Sequence, residues 1–154
     1  MKTLEQILAE HRFFRDMPPE YLRLAAGCAA NKRFEAGQLL CREGSDADYF
    51  YVISRGSAAI EIFAPGRGPI TIQSLGEGDM AGYSWLIPPY KYRLDVRAVE
   101  PVLAVAFDGK CLREKCEANP ALGYDFLKRV TQVVIARLGA TRLQLLDIYG
   151  KNLF

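Results

Sequence analysis

The sequence predicts a mainly β fold: a small antiparallel sandwich or barrel with helices at both ends. Three observations carry this. Between residues 32 and 108, short apolar runs are separated by glycine-rich turns about every ten residues. Before them, apolar residues recur at helical spacing. After them, an unbroken helical pattern runs from Asn119-Pro120 to Gly150.

At 154 residues the chain is read as one domain, 1–154, large enough to bury a core. It divides into a helical lead (1–31), a β-barrel (32–108) and C-terminal helices (109–150). A formal net charge of +2 gives no support for a nucleic-acid or membrane partner. No apolar run approaches the ~18 residues of a membrane span, and the N-terminus lacks a signal-peptide pattern, so the expected location is cytoplasmic. Cys28, Cys41, Cys111 and Cys116 form no C-x-x-C pair and are read as core or surface thiols. His11 is the only histidine. A histidine–carboxylate metal cluster of cupin type therefore has too few ligands. Nor is a Ser-His-Asp or Cys-His arrangement evident, so an enzyme is the weakest class of function.

In chain order, Leu4, Ile7 and Leu8 give an amphipathic helix over residues 1–12. Phe13-Phe14 forms a bulky plug, and Pro18-Pro19 starts a second helix carrying Tyr21, Leu22, Leu24 and Ala25. Residues 49–55 are rich in β formers. Gly56 separates them from 57–63, where Ala58, Ile60 and Ile62 alternate with Ala59, Glu61 and Phe63. The 64–69 stretch, Ala-Pro-Gly-Arg-Gly-Pro, is a turn by composition. Ile70 and Ile72 belong to the next strand, and 102–107 is the last. Asp95 and Arg97 are expected to pair on a surface strand. A short helix follows over 110–117.

The long helix has Asn119 as cap and Pro120 at its first position. Leu127, Thr131, Val134, Leu138, Thr141, Leu145 and Ile148 follow alternating steps of four and three, a coiled-coil seam. A second stripe, Leu122, Phe126, Val130 and Val133, is free to pack on the barrel. Two apolar stripes need two partners, so a homodimer through this helix is expected.

The most informative stretch is 75–99. It opens in Gly76, Gly78 and Gly82, breaks at Pro88-Pro89 and leaves as a strand. Gly78-Asp79-Met80-Ala81-Gly82 and the exit Arg97-Ala98 resemble the phosphate-binding cassette of cyclic-nucleotide-binding domains of the CRP/FNR (catabolite activator) type. Tyr51-Val52-Ile53-Ser54-Arg55-Gly56-Ser57-Ala58 is similar to a second motif of that family. Order and spacing over 34–107 make the resemblance specific. It implies a double-stranded β-helix (jelly-roll) barrel, dimerisation through the C-terminal helix, and a ligand pocket at Gly82, Tyr83, Ser84, Trp85, Tyr92 and Arg93. It also implies base contacts from Thr141, with Arg142 where the family has a serine.

Two positions depart from the family. Its ribose-binding glutamate is Tyr83 here, and a phenol cannot supply a carboxylate. Its phosphate-binding arginine falls at Tyr92, with Arg93 one place later and pointing to the other face of a regular strand. Tyr83, Trp85, Tyr90 and Tyr92 either offer stacking surfaces to another small flat ligand or fill the former pocket. The expected function is a non-enzymatic ligand-sensing module that binds cyclic AMP and cyclic GMP poorly and signals to an unknown protein partner. The alternatives are a genuine cyclic-nucleotide signalling protein and a pocket-filled interaction module. CRP-type regulators continue into a helix-turn-helix domain; without a second helical pattern after Gly150, direct DNA binding is not expected.

Overall fold

The computed structural model describes residues 1–152. The lead forms α1 (Leu4–Ala9), a 3-10 turn at Arg12–Phe14 and α2 (Pro19–Ala26). Thr3 caps α1 reciprocally: its hydroxyl accepts from the Gln6 N–H, and the Gln6 side chain accepts from the Thr3 N–H at 2.8 Å. Pro19 opens α2, where its missing N–H leaves no bond unmade.

Eight strands follow: β1 (Ala29–Phe34), β2 (Leu39–Cys41), β3 (Tyr49–Arg55), β4 (Ala58–Ala64), β5 (Gly68–Leu75), β6 (Met80–Ala81), β7 (Asp95–Ala98) and β8 (Val102–Asp108). They form two antiparallel four-stranded sheets, ordered β1-β8-β3-β6 and β2-β7-β4-β5. The jelly-roll character expected from the sequence is what the molecule shows. Tyr51, Ile53, Ala104 and Ala106 of the first sheet pack with Ile60 and Val96 of the second. Alternate residues Phe50, Val52, Val105 and Phe107 point the other way, into a second core beneath the helices. Both faces of β3 and β8 are therefore buried, which is why these strands read as nearly continuous apolar runs. Gly56 makes the β3–β4 turn possible. It sits at φ +90°, and a Cβ there would lie 2.2 Å from the Pro101 carbonyl oxygen.

The period-two pattern of β4 is interrupted. A bulge opposite β5 falls between Ile60 and Glu61, and beyond it Ile62 and Phe63 are exposed. Asp95 and Arg97 do not pair. Residues two apart on a strand share a face without meeting, so Arg97 reaches across to Glu61 on β4 (3.1 Å), and the Asp95 carboxylate accepts the Glu43 N–H (2.7 Å).

The cysteine expectation is corrected at two positions. Cys28, just after α2, and Cys111, just after β8, form a disulfide with Cα atoms 5.7 Å apart. Their 83-residue separation hides the pairing from any local motif. Cys41 and Cys116 remain thiols.

Asp108 caps α3 (Gly109–Ala118), accepting the Cys111 N–H at 3.0 Å. After a break at Asn119, α4 spans Pro120–Asn152, about 50 Å long at 1.5 Å per residue. Leu122, Phe126 and Val130 are buried in the helix-side core, and Val133 packs against it. Arg129 ties α4 to the lead. It pairs with Asp125 and donates to the carbonyls of Phe13 and Arg15, each at 2.7 Å. Beyond Val133 the helix runs past the core, with Leu138, Leu143, Leu145, Leu146 and Ile148 exposed.

Candidate ligand site at the cassette

The cassette begins with a turn at residues 76–79 that is fixed to the barrel from both sides. The Asp79 carboxylate accepts the Gly76 N–H at 2.8 Å. Gly78 N–H donates to the Ile53 carbonyl, and Ile53 N–H donates to the Asp79 carbonyl. Arg12 of the lead closes over the turn, 2.7 Å from Asp79. After β6, Gly82 takes a left-handed conformation (φ +87°) and a single 3-10 turn, Tyr83–Leu86, follows. A cis peptide at Pro88-Pro89 and a left-handed Tyr90 lead toward β7.

Tyr92 occupies the interior of this site. It is 7% exposed, and its hydroxyl donates to the Tyr49 carbonyl and accepts the Tyr49 N–H at 3.3 Å. Its backbone is pinned by the 43–48 loop: its N–H donates to Ser45 O (3.0 Å) and its carbonyl accepts from Gly44 (2.8 Å). A Cβ on Gly82 would lie 3.1 Å from the Tyr92 ring and 3.3 Å from the Cys41 sulfur. Only the bare backbone of a glycine lets the cassette close down on the ring this tightly.

The space left over is small. Gly82, Tyr83, Ser84, Tyr92 and Arg93 surround one cavity of about 30 Å³, together with Cys41 and Val96. That is room for about one water, whereas small-molecule pockets run to ~300–1,000 Å³. The buried groups nearest to it are uncharged: burial pushes the Cys41 thiol up to about 12 and raises the Tyr51 and Tyr92 phenols as well. Arg93 is exposed at the rim and makes no ion pair among the described residues.

The other expected ligand residues lie elsewhere. Trp85 is wholly buried in the helix-side core, stacked on Phe50 with ring centroids 5.1 Å apart, so its indole is core and not a pocket wall. Arg113 of α3 holds this turn down, donating to the Trp85 carbonyl at 2.7 Å and stacking 4.2 Å over the Tyr90 ring. Thr141 and Arg142 are exposed on α4 and do not line the cassette cavity. The Thr141 hydroxyl donates back to the Arg137 carbonyl at 2.9 Å.

Sequence reasoning did not single out Arg137 itself as a site residue. Its guanidinium reaches from α4 to donate to the Met80 carbonyl of β6. Burial lowers its pKa, against the favourable fields of Asp79, Tyr83 and Cys41. It also lines a second, larger cavity of about 580 Å³ between the lead, the 76–79 turn and α4. The signal was its place four residues before Thr141, one helical turn away.

Comparison with known proteins agrees with the geometry. A family model described as the cyclic nucleotide-binding domain matches residues 31–119, more than half of the chain. A putative cyclic nucleotide-binding protein from Geobacter metallireducens is 32% identical, with a TM-score of 0.79 over 89% of this chain and 99% of that one. A cyclic nucleotide-binding domain from Methylobacillus flagellatus is 23% identical, with a TM-score of 0.77 over 92% and 79%. The regulatory subunit of a cAMP-independent protein kinase A from Trypanosoma brucei is 23% identical, with a TM-score of 0.67 over 82% of this chain and 45% of that one. With its two sheets, its glycine-bounded cassette and its long terminal helix, the chain belongs to the cyclic nucleotide-binding domain family.

Proposed function

We propose that this protein is a non-enzymatic regulatory module in which the cassette persists as architecture while its cyclic-nucleotide pocket is closed. The observation that carries this reading is Tyr92. Its ring fills the interior and its hydroxyl is bonded to the Tyr49 main chain, leaving about 30 Å³ beneath the cassette. A cyclic nucleotide has to displace the ring and then finds Tyr83 where the ribose hydroxyl needs a carboxylate. Each buried polar group left unpaired costs ~1–3 kcal/mol. Two such losses lower affinity by roughly two to four powers of ten.

The module acts as a homodimer through α4. Leu127, Val134, Leu138, Leu145 and Ile148 are each more than a third exposed in the single chain. A helix that carries such a seam beyond its own core is stabilised by a second copy. A protein partner then reads the disposition of the paired helices. No helix among the described residues is long and apolar enough to cross a membrane.

Calorimetric titration with cyclic AMP and cyclic GMP tests the reading. The expected dissociation constants are high micromolar or weaker. A sub-micromolar constant that is abolished by Arg93→Ala would overturn it and restore an ordinary cyclic-nucleotide sensor.

A further inference from the structure

The larger cavity lies on the helix side, since Phe13, Met80 and Val133 of its lining belong to or pack against the core beneath the helices, with Leu75 of the barrel core also lining it. Its volume of about 580 Å³ falls within the range of small-molecule sites. Its walls are unusually charged. Two pairs neutralise themselves: Arg12 with Asp79 and Arg129 with Asp125, both at 2.7 Å. The charges that remain are Arg15, Lys128 and Arg137 against Asp16, three positive and one negative, a net +2. No ion pair among the described residues engages any of these three cations.

Two of these cations have side-chain contacts, and the backbone of the third is fixed. The Arg15 carbonyl is gripped by Arg129, and Asp16 beyond it turns through a left-handed conformation (φ 62°). The Lys128 ammonium rests 4.6 Å over the Tyr124 ring. Arg137 makes one hydrogen bond, to the Met80 carbonyl, although a guanidinium carries five N–H donors. Its burial is only partly compensated, and a charge in that condition gains most from an opposite charge with hydrogen-bond acceptors. Gln73 and Gln132 add neutral amides to the wall.

We propose that this outer cleft binds a small polyanion, one carrying at least two negative charges on phosphate or carboxylate oxygens. Guanidinium forks suit both kinds of oxygen in bidentate geometry, and the cleft's surplus matches a dianion. Such a ligand touches the lead through Arg15 and the long helix through Lys128 and Arg137. It fastens α4 against β6 without entering the barrel. The site does not depend on whether the cassette pocket is closed.

The test uses the full chain, with sodium pyrophosphate and, separately, sodium citrate as probes, at ionic strength matched with sodium chloride. Melting curves and calorimetry should show saturable binding of at least one probe. Arg15→Gln/Lys128→Gln removes two exposed charges outside both cores, so the protein should fold and lose affinity about tenfold or more. Arg137→Gln should abolish binding. The proposal is overturned if neither probe binds saturably up to about 10 mM, or if the Arg15→Gln/Lys128→Gln protein binds as tightly as the parent. Either result leaves the cyclic-nucleotide titrations untouched, so the two readings fail separately.

Discussion

Replacing Tyr92 with phenylalanine asks one question of the closed cassette. The change keeps the ring and removes a hydroxyl that donates to the Tyr49 carbonyl and accepts its N–H. The site is 7% exposed, and the adjoining cavity of about 30 Å³ admits at most one replacement water. Leaving such groups unsatisfied costs about 1–3 kcal/mol. For a chain of this size each kcal/mol lowers the melting temperature by about 2–4 °C, so a fall of about 2–12 °C is expected. Urea unfolding followed by circular dichroism measures the same loss isothermally. Because the ring still fills the barrel, cyclic AMP should bind the variant no better than the parent. Stability unchanged within about 0.5 kcal/mol, the range of an ordinary surface substitution, would refute the idea that this phenol locks the cassette.

Four further outcomes are expected. Val134→Asp/Leu138→Asp should convert a dimer to monomers in sedimentation velocity; a wild-type chain that already sediments as a monomer at about 50 μM removes the premise. Reducing Cys28–Cys111 should destabilise the fold by about 2–5 kcal/mol, since the bond closes an 83-residue loop, and urea titration with and without reductant reads this directly. Cys41 and Cys116 have raised pKa values, about 12 and about 11, both chiefly through burial. Folding therefore favours their protonated forms, so the stability they contribute is complete below pH 9, the ordinary thiol value, and declines as pH rises through 11 to 12. At neutral pH a thiol reagent should label buried Cys41 only as fast as the protein unfolds.

Much of this fold can be read from local chemistry. The turn glycines, the proline starts of α2 and α4, and the stripe Leu122, Phe126, Val130 each carry their reason within a few residues. What could not be read depends on contacts between distant segments. The partner of Cys28 is Cys111, and no spacing rule links residues that far apart. Arg97 meets Glu61 on the diagonal because β4 and β7 pair with Ala59 opposite Arg97, a register that neither strand contains. The cassette was half legible. Substituting tyrosine for a family arginine announces a changed site, but only the approach of Gly82 to the Tyr92 ring tells plug from pocket wall. Trp85 misleads in sequence because a single 3-10 turn carries it into the helix-side core, where it stacks on Phe50. The outer cleft was not legible at all, since its cations come from the lead and the terminal helix, more than a hundred residues apart.

Besides their buried apolar stripe and the Cys28–Cys111 bond, the C-terminal helices are fastened to the rest of the molecule by side chains that grip main-chain carbonyls. Arg113 holds Trp85, Lys115 holds Leu24, Arg129 holds Phe13 and Arg15, and Arg137 holds Met80. A carbonyl is present whatever residue bears it. Mutational tolerance should therefore be lopsided: the gripping residues are individually exposed to loss, while the gripped positions can change identity and still be held. The helix attachment can outlast considerable drift in the lead and the cassette, so a change of ligand there need not disturb how α4 is carried.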